Sequence, residues 1–148
     1  MTIDEFKALV GKHVATSDWL EVDQSRIDMF ADATGDHEPI HVDPIAAADL
    51  PYGQTIAHGF LTLSLIAAFY QNCFPRIDGR KYGLNYGLNR VRFLAPVLSG
   101  KRVRGHFNLL SLLEKQPGNY QFTIEVSVEI EGEDKPAMFA EWVTFAAV

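Results

Sequence analysis

The chain contains a single cysteine, Cys73, among its 148 residues. One thiol excludes an internal disulfide and a zinc site built from cysteines, and it agrees with a reducing compartment. The N-terminal residues include acids and no apolar run, so no secretory signal is visible. A cytoplasmic location is therefore expected.

No apolar run in the sequence is long enough to cross a bilayer. The longest spans residues 56–70, short of the roughly 20 residues that a membrane helix needs, and it contains His58, Thr62 and Ser64. This run predicts a helix in the protein core, and no membrane partner is expected. Repeats, low-complexity tracts and linkers are also missing, so residues 1–148 are expected to form one domain with one core.

The net charge of −6 is unevenly distributed. Between residues 76 and 104 the chain has eight basic residues and one acid, which gives +7 there and −13 elsewhere. A local positive field on an acidic protein favours an anionic ligand, phosphates above all, although a solvated strand face has the same composition. Nucleic acid is not expected as a partner, because the remaining surface would repel a long polyanion.

Helical signals dominate the first half of the chain. Asp23 or Ser25 can cap a helix that ends at Gly35, and Asp43 followed by Pro44 predicts a short helix through Ala48. A central helix is predicted over residues 58–72, and it is apolar nearly all round, so it must be surrounded by other structure.

After residue 75 the apolar pattern changes to a period of two. Strands are predicted over residues 88–94, 102–109, 120–130 and 138–147, and the last is apolar on nearly both faces. These features favour an α+β fold, in which a curved antiparallel sheet wraps around the central helix. Because such a sheet leaves an edge, pairing of edges across a two-fold axis is expected, which predicts a homodimer.

Two short segments carry the chemistry. Asp36 and His41 lie five residues apart on a segment interrupted by Pro39, and an acid and a base so placed can hold a water molecule between them. Gly59 follows His58 at the start of the central helix, where free backbone N–H groups can stabilise an oxyanion. Together they predict addition of water to, or its removal from, a carbonyl-activated substrate.

The same segments resemble the MaoC-like hydratases, which have the hot-dog fold and include the (R)-specific enoyl-CoA hydratases. The resemblance rests on Gly35-Asp36-x-x-Pro39-Ile40-His41-x-Asp43, on Ile56-Ala57-His58-Gly59, and on residues 86–97, which look nearest to the NodN-like branch. It implies a homodimer with an acyl tunnel near the subunit interface. It further implies that Asp36 and His41 hold the catalytic water and that the Gly59 N–H binds the thioester oxygen.

The implied reaction is syn addition of water to a trans-2-enoyl-CoA, giving a (3R)-3-hydroxyacyl-CoA. Coenzyme A is then part of the substrate, and neither a further cofactor nor a metal is expected. Ser64 lies where many members have a serine close to the carboxylate. Glu38 stands where the D-x-N-P-x-H members have asparagine. Candidates for substrate contact, besides Ser64, are Asn85, Arg90 and Arg92.

Three other interpretations compete with a hydratase. His37 and His41 have the spacing of two metal ligands on a helix, but Pro39 between them disfavours a continuous helix. A hot-dog thioesterase would usually place an acidic residue on the central helix, which has none from residue 59 to residue 72. The third is a non-catalytic acyl-thioester-binding protein, against which the presence of both Asp36 and His41 argues.

Overall fold

A computed structural model describes all 148 residues as one sheet and five helices. In chain order the elements are α1 (Ile3–Lys7), β1 (Lys12–Thr16), β2 (Leu20–Val22), α2 (Gln24–Thr34), α3 (Pro39–Val42), α4 (Pro44–Ala48), α5 (Gly59–Cys73), β3 (Tyr82–Phe93), β4 (Lys101–Gln116), β5 (Asn119–Ile130) and β6 (Met138–Ala147).

The six strands form one antiparallel sheet in the order β1-β4-β5-β6-β3, with β2 paired to the other end of β4. The last strand, β6, therefore lies inside the sheet, and the free edge beyond it belongs to β3. Bulges interrupt the pairing of β3 with β6 near Tyr86 and Asn89. The predicted strand over residues 88–94 is the second half of β3, which begins six residues earlier.

Helix α5 packs across β4, β5 and β6 and confirms the predicted central helix. Its buried side includes Leu61, Leu65 and Phe69, which pack against the predominantly apolar face of the sheet. Gly105 on β4 permits this close packing, since an added Cβ would lie 3.1 Å from the Cβ of Phe69. A sheet wrapped around one helix is the hot-dog arrangement that the resemblance predicted. None of the helices is both long and apolar enough to span a bilayer.

The segment between α2 and α5 brings the predicted acid and histidine to the start of α5. Gly35 ends α2 in the left-handed region, with φ of 80°, and its N–H donates to the carbonyl of Ala31. Pro39 begins the single helical turn of α3, where the sequence predicted a loop. The carboxylate of Asp43 then caps α4 by accepting from the N–H groups of Ile45 and Ala46.

The sheet face opposite α5 carries a charged network that contributes to stability. Glu129 accepts hydrogen bonds from Arg104 Nε at 2.7 Å and from His106 Nε2 at 2.6 Å. These bonds, that from Arg104 above all, lower the pKa of Glu129 below its ordinary value of 4.5. The ionised carboxylate therefore stabilises the folded state above that pH, and this stabilisation disappears as the pH falls through the lowered pKa.

Glu129→Gln is expected to flatten the acid side of the stability profile. The free energy of unfolding of the wild type should fall more steeply than that of the variant between about pH 5 and about pH 2, because only the wild type loses an ionised group held by Arg104. Urea unfolding across this range measures both curves, with Asp134→Asn in the exposed β5–β6 turn as the control. Parallel curves would contradict the assignment.

Candidate active site

His41 is held so that one ring nitrogen is left open. Its Nδ1 lies 2.8 Å from the carbonyl oxygen of Ile56. A carbonyl can only accept, so the proton resides on Nδ1 and the lone pair of the neutral ring is on Nε2. That tautomer is the one that a general base requires.

Asp36 is held through its backbone, which leaves its side chain available. Its carbonyl oxygen accepts from Nε2 of His58 at 2.9 Å, while its Oδ1 has a long 3.4 Å contact with the N–H of Glu38. Glu38, which stands at the asparagine position of the resemblance, makes no side-chain cap on α3. The position of the Asp36 carboxylate is therefore set by its neighbours, and the carboxylate takes part in no ion pair.

His58 links the two halves of the site. Its side chain is buried, and its ring stacks on that of His41 with centroids 3.9 Å apart. The ring of Phe30 lies 4.9 Å away from that of His58, tilted at 55° to it. In the sequence, His58 was notable only as the residue before Gly59 at the start of the central helix. The structure gives it a further role, because its ring holds the plane of His41 and the backbone of Asp36. Its Nδ1 is buried without a hydrogen-bond partner.

The three side chains converge on one small volume. Ligand-type atoms of Asp36, His41 and His58 all lie within 4.8 Å of one another. A water molecule that makes hydrogen bonds of about 2.8 Å to Asp36 and to His41 Nε2 fits this separation. The structure thus brings together the predicted acid and base, and places them beside the first turn of α5.

The same three residues are of metal-ligand type, but their arrangement suits water better than a cation. The rings of His41 and His58 are stacked at an interplanar angle of 25°, so their in-plane lone pairs do not converge on one point. His58 also uses Nε2 to hold Asp36. The structure does not bring His37 and His41 together as a pair of ligands. Nε2 of His37 instead lies 2.9 Å from Oδ1 of Asp32, and this hydrogen bond raises the pKa of His37.

Gly59 opens α5 without any side-chain cap. The first N–H groups of a helix have no partner within it, so the N–H of Gly59 is available to a ligand. An added Cβ at Gly59 would lie 3.1 Å from the ring of Phe93, which shows how closely this strand covers the helix start. Both residues line an apolar cleft of about 250 Å³.

A second cleft follows α5 away from Gly59. Ser64 and Asn85 both line it, together with Leu88 and Trp142, and its volume is about 220 Å³. The hydroxyl of Ser64 donates to the carbonyl of Phe60 at 2.7 Å, the ordinary bond of a serine within a helix. The two predicted contact residues therefore meet in one apolar groove between α5 and the β3 edge.

The basic segment is divided by the fold. Three of its eight cations form ion pairs with β5 and the turn that follows it: Lys101–Glu133, Arg102–Glu131 and Arg104–Glu129. Arg90 lies over the ring of Phe139, with 5.5 Å from its Cζ to the centroid, on the sheet face turned away from α5. Arg92 precedes Phe93 at the end of β3, near the start of α5. The single positive field expected from the sequence is thus reduced to separate groups.

Two polar residues that support the site went unnoticed in the sequence. Gln24, the first residue of α2, donates to the carbonyl oxygen of His41 at 2.8 Å and accepts from the hydroxyl of Thr55. This chain of bonds joins α2, α3 and the segment before α5. Because Gln24 lies 17 residues before His41, no local spacing could have identified it.

The fold and the site define a class: a hot-dog protein with an acid–histidine pair facing the N-terminus of its central helix. Residues 5–133 match the family described as "MaoC like domain". The chain is 48% identical over 145 residues to "Nodulation protein N" of Rhizobium leguminosarum bv. viciae, covering 97% of this chain and 90% of that protein. It is 45% identical over 140 residues to "3-hydroxyacyl-thioester dehydratase Z" of Mycobacterium tuberculosis, covering 95% and 92%.

Two solved structures share the fold. The unliganded R-hydratase PhaJ1 from Pseudomonas aeruginosa superposes with a TM-score of 0.73 at 24% identity, covering 91% of this chain and 79% of that one. The (R)-hydratase from A. caviae involved in PHA biosynthesis gives 0.74 at 24% identity, covering 91% and 94%. The chain belongs to the MaoC-like dehydratase family, which confirms the resemblance seen in the sequence.

Proposed function

We propose that the protein is an (R)-specific enoyl-CoA hydratase, which interconverts trans-2-enoyl-CoA and (3R)-3-hydroxyacyl-CoA. The observation that carries the proposal is the pairing of the Asp36 carboxylate with the open Nε2 of His41, beside the uncapped start of α5. The names of the relatives, a 3-hydroxyacyl-thioester dehydratase and two R-hydratases, support the same class of reaction.

In the hydration direction, Asp36 and His41 hold one water molecule over C3 of the enoyl group. The pair removes one proton as the water oxygen bonds to C3, and the double-bond electrons move towards the thioester oxygen. The N–H of Gly59, at the positive end of the α5 dipole, stabilises the resulting enolate. The proton then returns to C2 from the same side, so the elements of water add syn and no redox cofactor takes part.

We further propose that the working unit is a homodimer formed through β3. This strand has a free edge, and it exposes large apolar side chains that a monomer would leave in water: Tyr82, Leu84, Tyr86 and Leu88. Light scattering at micromolar concentration should give twice the 16.5 kDa mass of the chain. A monomer would leave this apolar edge unexplained.

The decisive assay follows loss of the enoyl-thioester absorbance with crotonyl-, octenoyl- and dodecenoyl-CoA. Hydration of at least one substrate is expected, and chiral analysis of the product should give the (3R) alcohol. Release of free thiol from a saturated acyl-CoA would instead indicate a thioesterase, although α5 offers no carboxylate for that reaction. Tight binding of enoyl-CoA without turnover would indicate a non-catalytic acyl-binding protein.

A further inference from the structure

A group of large apolar side chains lies on the sheet face opposite α5, which we call the outer face. Trp142 of β6 belongs to the core beneath α5, so Phe145, three residues later on the same strand, points to the other side of the sheet. In the register of β3 with β6, Leu84 is opposite Phe145 and Tyr82 is opposite Ala147. Directly opposed residues share a face, so Tyr82 and Leu84 also lie on the outer face.

Tyr86 completes this group. It lies in a bulge of β3, and its ring meets that of Phe145 edge to face, with centroids 4.9 Å apart. Tyr82, Leu84 and Tyr86 are 54%, 59% and 70% exposed. We call the four residues Tyr82, Leu84, Tyr86 and Phe145 the outer patch.

The outer patch is large for a chain of this size. An aromatic side chain presents about 200 Å² when fully exposed, so these exposures leave roughly 400 Å² of apolar surface in water on each subunit. The rest of the outer face is polar: Glu129 is held by Arg104 and His106, and Asn89 donates to Glu141 at 2.7 Å. An apolar patch of this size with a polar rim is typical of a protein–protein contact.

Pairing of two β3 edges does not cover the outer patch. The hydrogen bonds between paired strands lie in the plane of the sheet, whereas the side chains stand roughly perpendicular to it. Leu88 is opposite Trp142 and therefore points towards α5, away from the outer patch. A two-fold axis that joins antiparallel edges into one sheet keeps both outer faces on the same side. The proposed dimer therefore presents two outer patches on one face.

The outer patch has the shape to contact a copy of itself. Tyr86 is its most exposed side chain and projects from the bulge of β3. Tyr82, Leu84 and Phe145 border a cleft of about 420 Å³, whose other wall is the end of the β4–β5 hairpin. In a two-fold contact, Tyr86 of each copy can enter the cleft of the other, which is the reciprocal arrangement of an isologous interface.

We propose that the outer patches join two β3-paired dimers into a tetramer, in which the outer faces of the two sheets pack against each other. One patch supplies only about half of the roughly 800 Å² per partner that a stable interface buries, so it does not suffice to join two single chains. Two patches reach that area, and only the dimer presents two together. The inference therefore rests on the dimer put forward under the proposed function, and not on hydratase activity.

The mass of the assembly should depend on protein concentration. Sedimentation velocity between about 5 µM and about 500 µM should show the dimer giving way to a species of four times the 16.5 kDa chain mass. No main-chain hydrogen bonds join the outer patches, so this step is weaker than β3 pairing and the dimer predominates at the low end. A dimer at every concentration would overturn the tetramer, and a monomer throughout would overturn the β3 dimer with it.

Tyr86→Lys should raise the Kd of the tetramer at least about 100-fold, because each tetramer then has four charges in apolar contacts. Lysine is common on edge strands, so the dimer should remain. Ser127→Lys, opposite His106 on the polar part of the outer face, adds the same charge outside the patch and should leave the tetramer intact. An equal loss in Ser127→Lys would overturn the assignment to the patch. Monomers of Tyr86→Lys would overturn it too, since the patch would then form the dimer itself.

Phe145→Thr tests the same contact from inside the sheet. Phe145 is on β6, which has neighbours on both sides and takes no part in edge pairing. Threonine suits a strand but removes the ring that borders the cleft. The Kd of the tetramer should rise at least about tenfold, while the dimer and the circular dichroism spectrum stay unchanged. An unchanged Kd would overturn the contact between Tyr86 and the cleft.

Enoyl-CoA hydration keeps this inference apart from the proposed function. The outer face is turned away from α5 and the acid–histidine pair, so kcat and KM of Tyr86→Lys should stay within about twofold of the wild type. A large loss of kcat in a dimeric Tyr86→Lys variant would place the patch at the active site and overturn its role in assembly. An inactive wild-type tetramer would reject the hydratase alone, and an active dimer that never forms a tetramer would reject the outer-patch interface alone.

Discussion

Asp36→Asn should lower kcat by about 10³-fold while the fold stays intact, within the range of about 10²–10⁴-fold for a positioned acid–base group. Asparagine has the same shape as aspartate. The hydrogen bond that fixes this residue runs from the His58 ring to the backbone carbonyl of Asp36, which the substitution leaves unchanged. What changes is the side chain facing the water, which can no longer take up or release a proton. Steady-state kinetics gives kcat, and circular dichroism with thermal unfolding checks the fold.

His41→Ala should behave like Asp36→Asn, and the double variant should be little worse than either one. Both residues act on the same water molecule, so losing one removes most of what the other contributes. Asp32→Asn is the matched control, because Asp32 is also a carboxylate near the site but is bound to His37 at 2.9 Å. Near-full activity in either single variant, with an unchanged circular dichroism spectrum, would reject the pair and favour a non-catalytic acyl-binding role.

The sequence predicted correctly those parts of the site that depend on residues adjacent in the chain. The left-handed end of α2 at Gly35, the cap of α4 at Asp43 and the start of α5 after His58 were each predicted from a few adjacent residues. Those elements position Asp36, His41 and the first N–H group of α5. Periodicity alone was also enough to predict an apolar helix surrounded by antiparallel strands.

Contacts between residues that are far apart in the chain could not be predicted from the sequence. Stacking of His58 on His41 and the bond from Gln24 to the His41 carbonyl depend on how α2, α3 and α5 meet. Strand order is equally non-local: only the structure shows that β3, and not the apolar β6, forms the free edge. The pairing of Arg104 on β4 with Glu129 on β5, and of Arg102 with Glu131 in the turn after β5, follows from the strand register, which divided the predicted basic surface.

Helix α1 was missed and strand β3 was predicted too short, although both have local signals in the sequence. Helix α1 begins at a capping box, in which Thr2 and Glu5 each accept from the other's backbone N–H, a pattern that can be read from the sequence. Strand β3 was predicted too short because Gly83, Asn85 and Gly87 are poor strand formers. Such small and polar residues leave room for a groove between this edge strand and α5, and the strand forms through its pairing with β6.

Gly59→Pro should lower kcat by about 10²–10³-fold relative to Gly59→Ala, the loss typical of a missing oxyanion donor. Proline suits the first residue of a helix, and His58, with φ of −59° and ψ of 138°, already has the backbone conformation that precedes proline. Both variants place a Cβ against Phe93, so this steric change is shared between them. Their ratio in kcat therefore measures the loss of the N–H group together with the ring carbons that replace its hydrogen.

The comparison requires that both variants fold, which thermal unfolding and binding of a saturated acyl-CoA can verify. Alanine keeps the donor and carries only the cost of displacing the Phe93 ring, so its kcat should fall much less. Equal kcat in the two variants would show that the Gly59 N–H does not stabilise the enolate. The donor would then have to be the next N–H of α5, that of Phe60, which proline at residue 59 leaves in place.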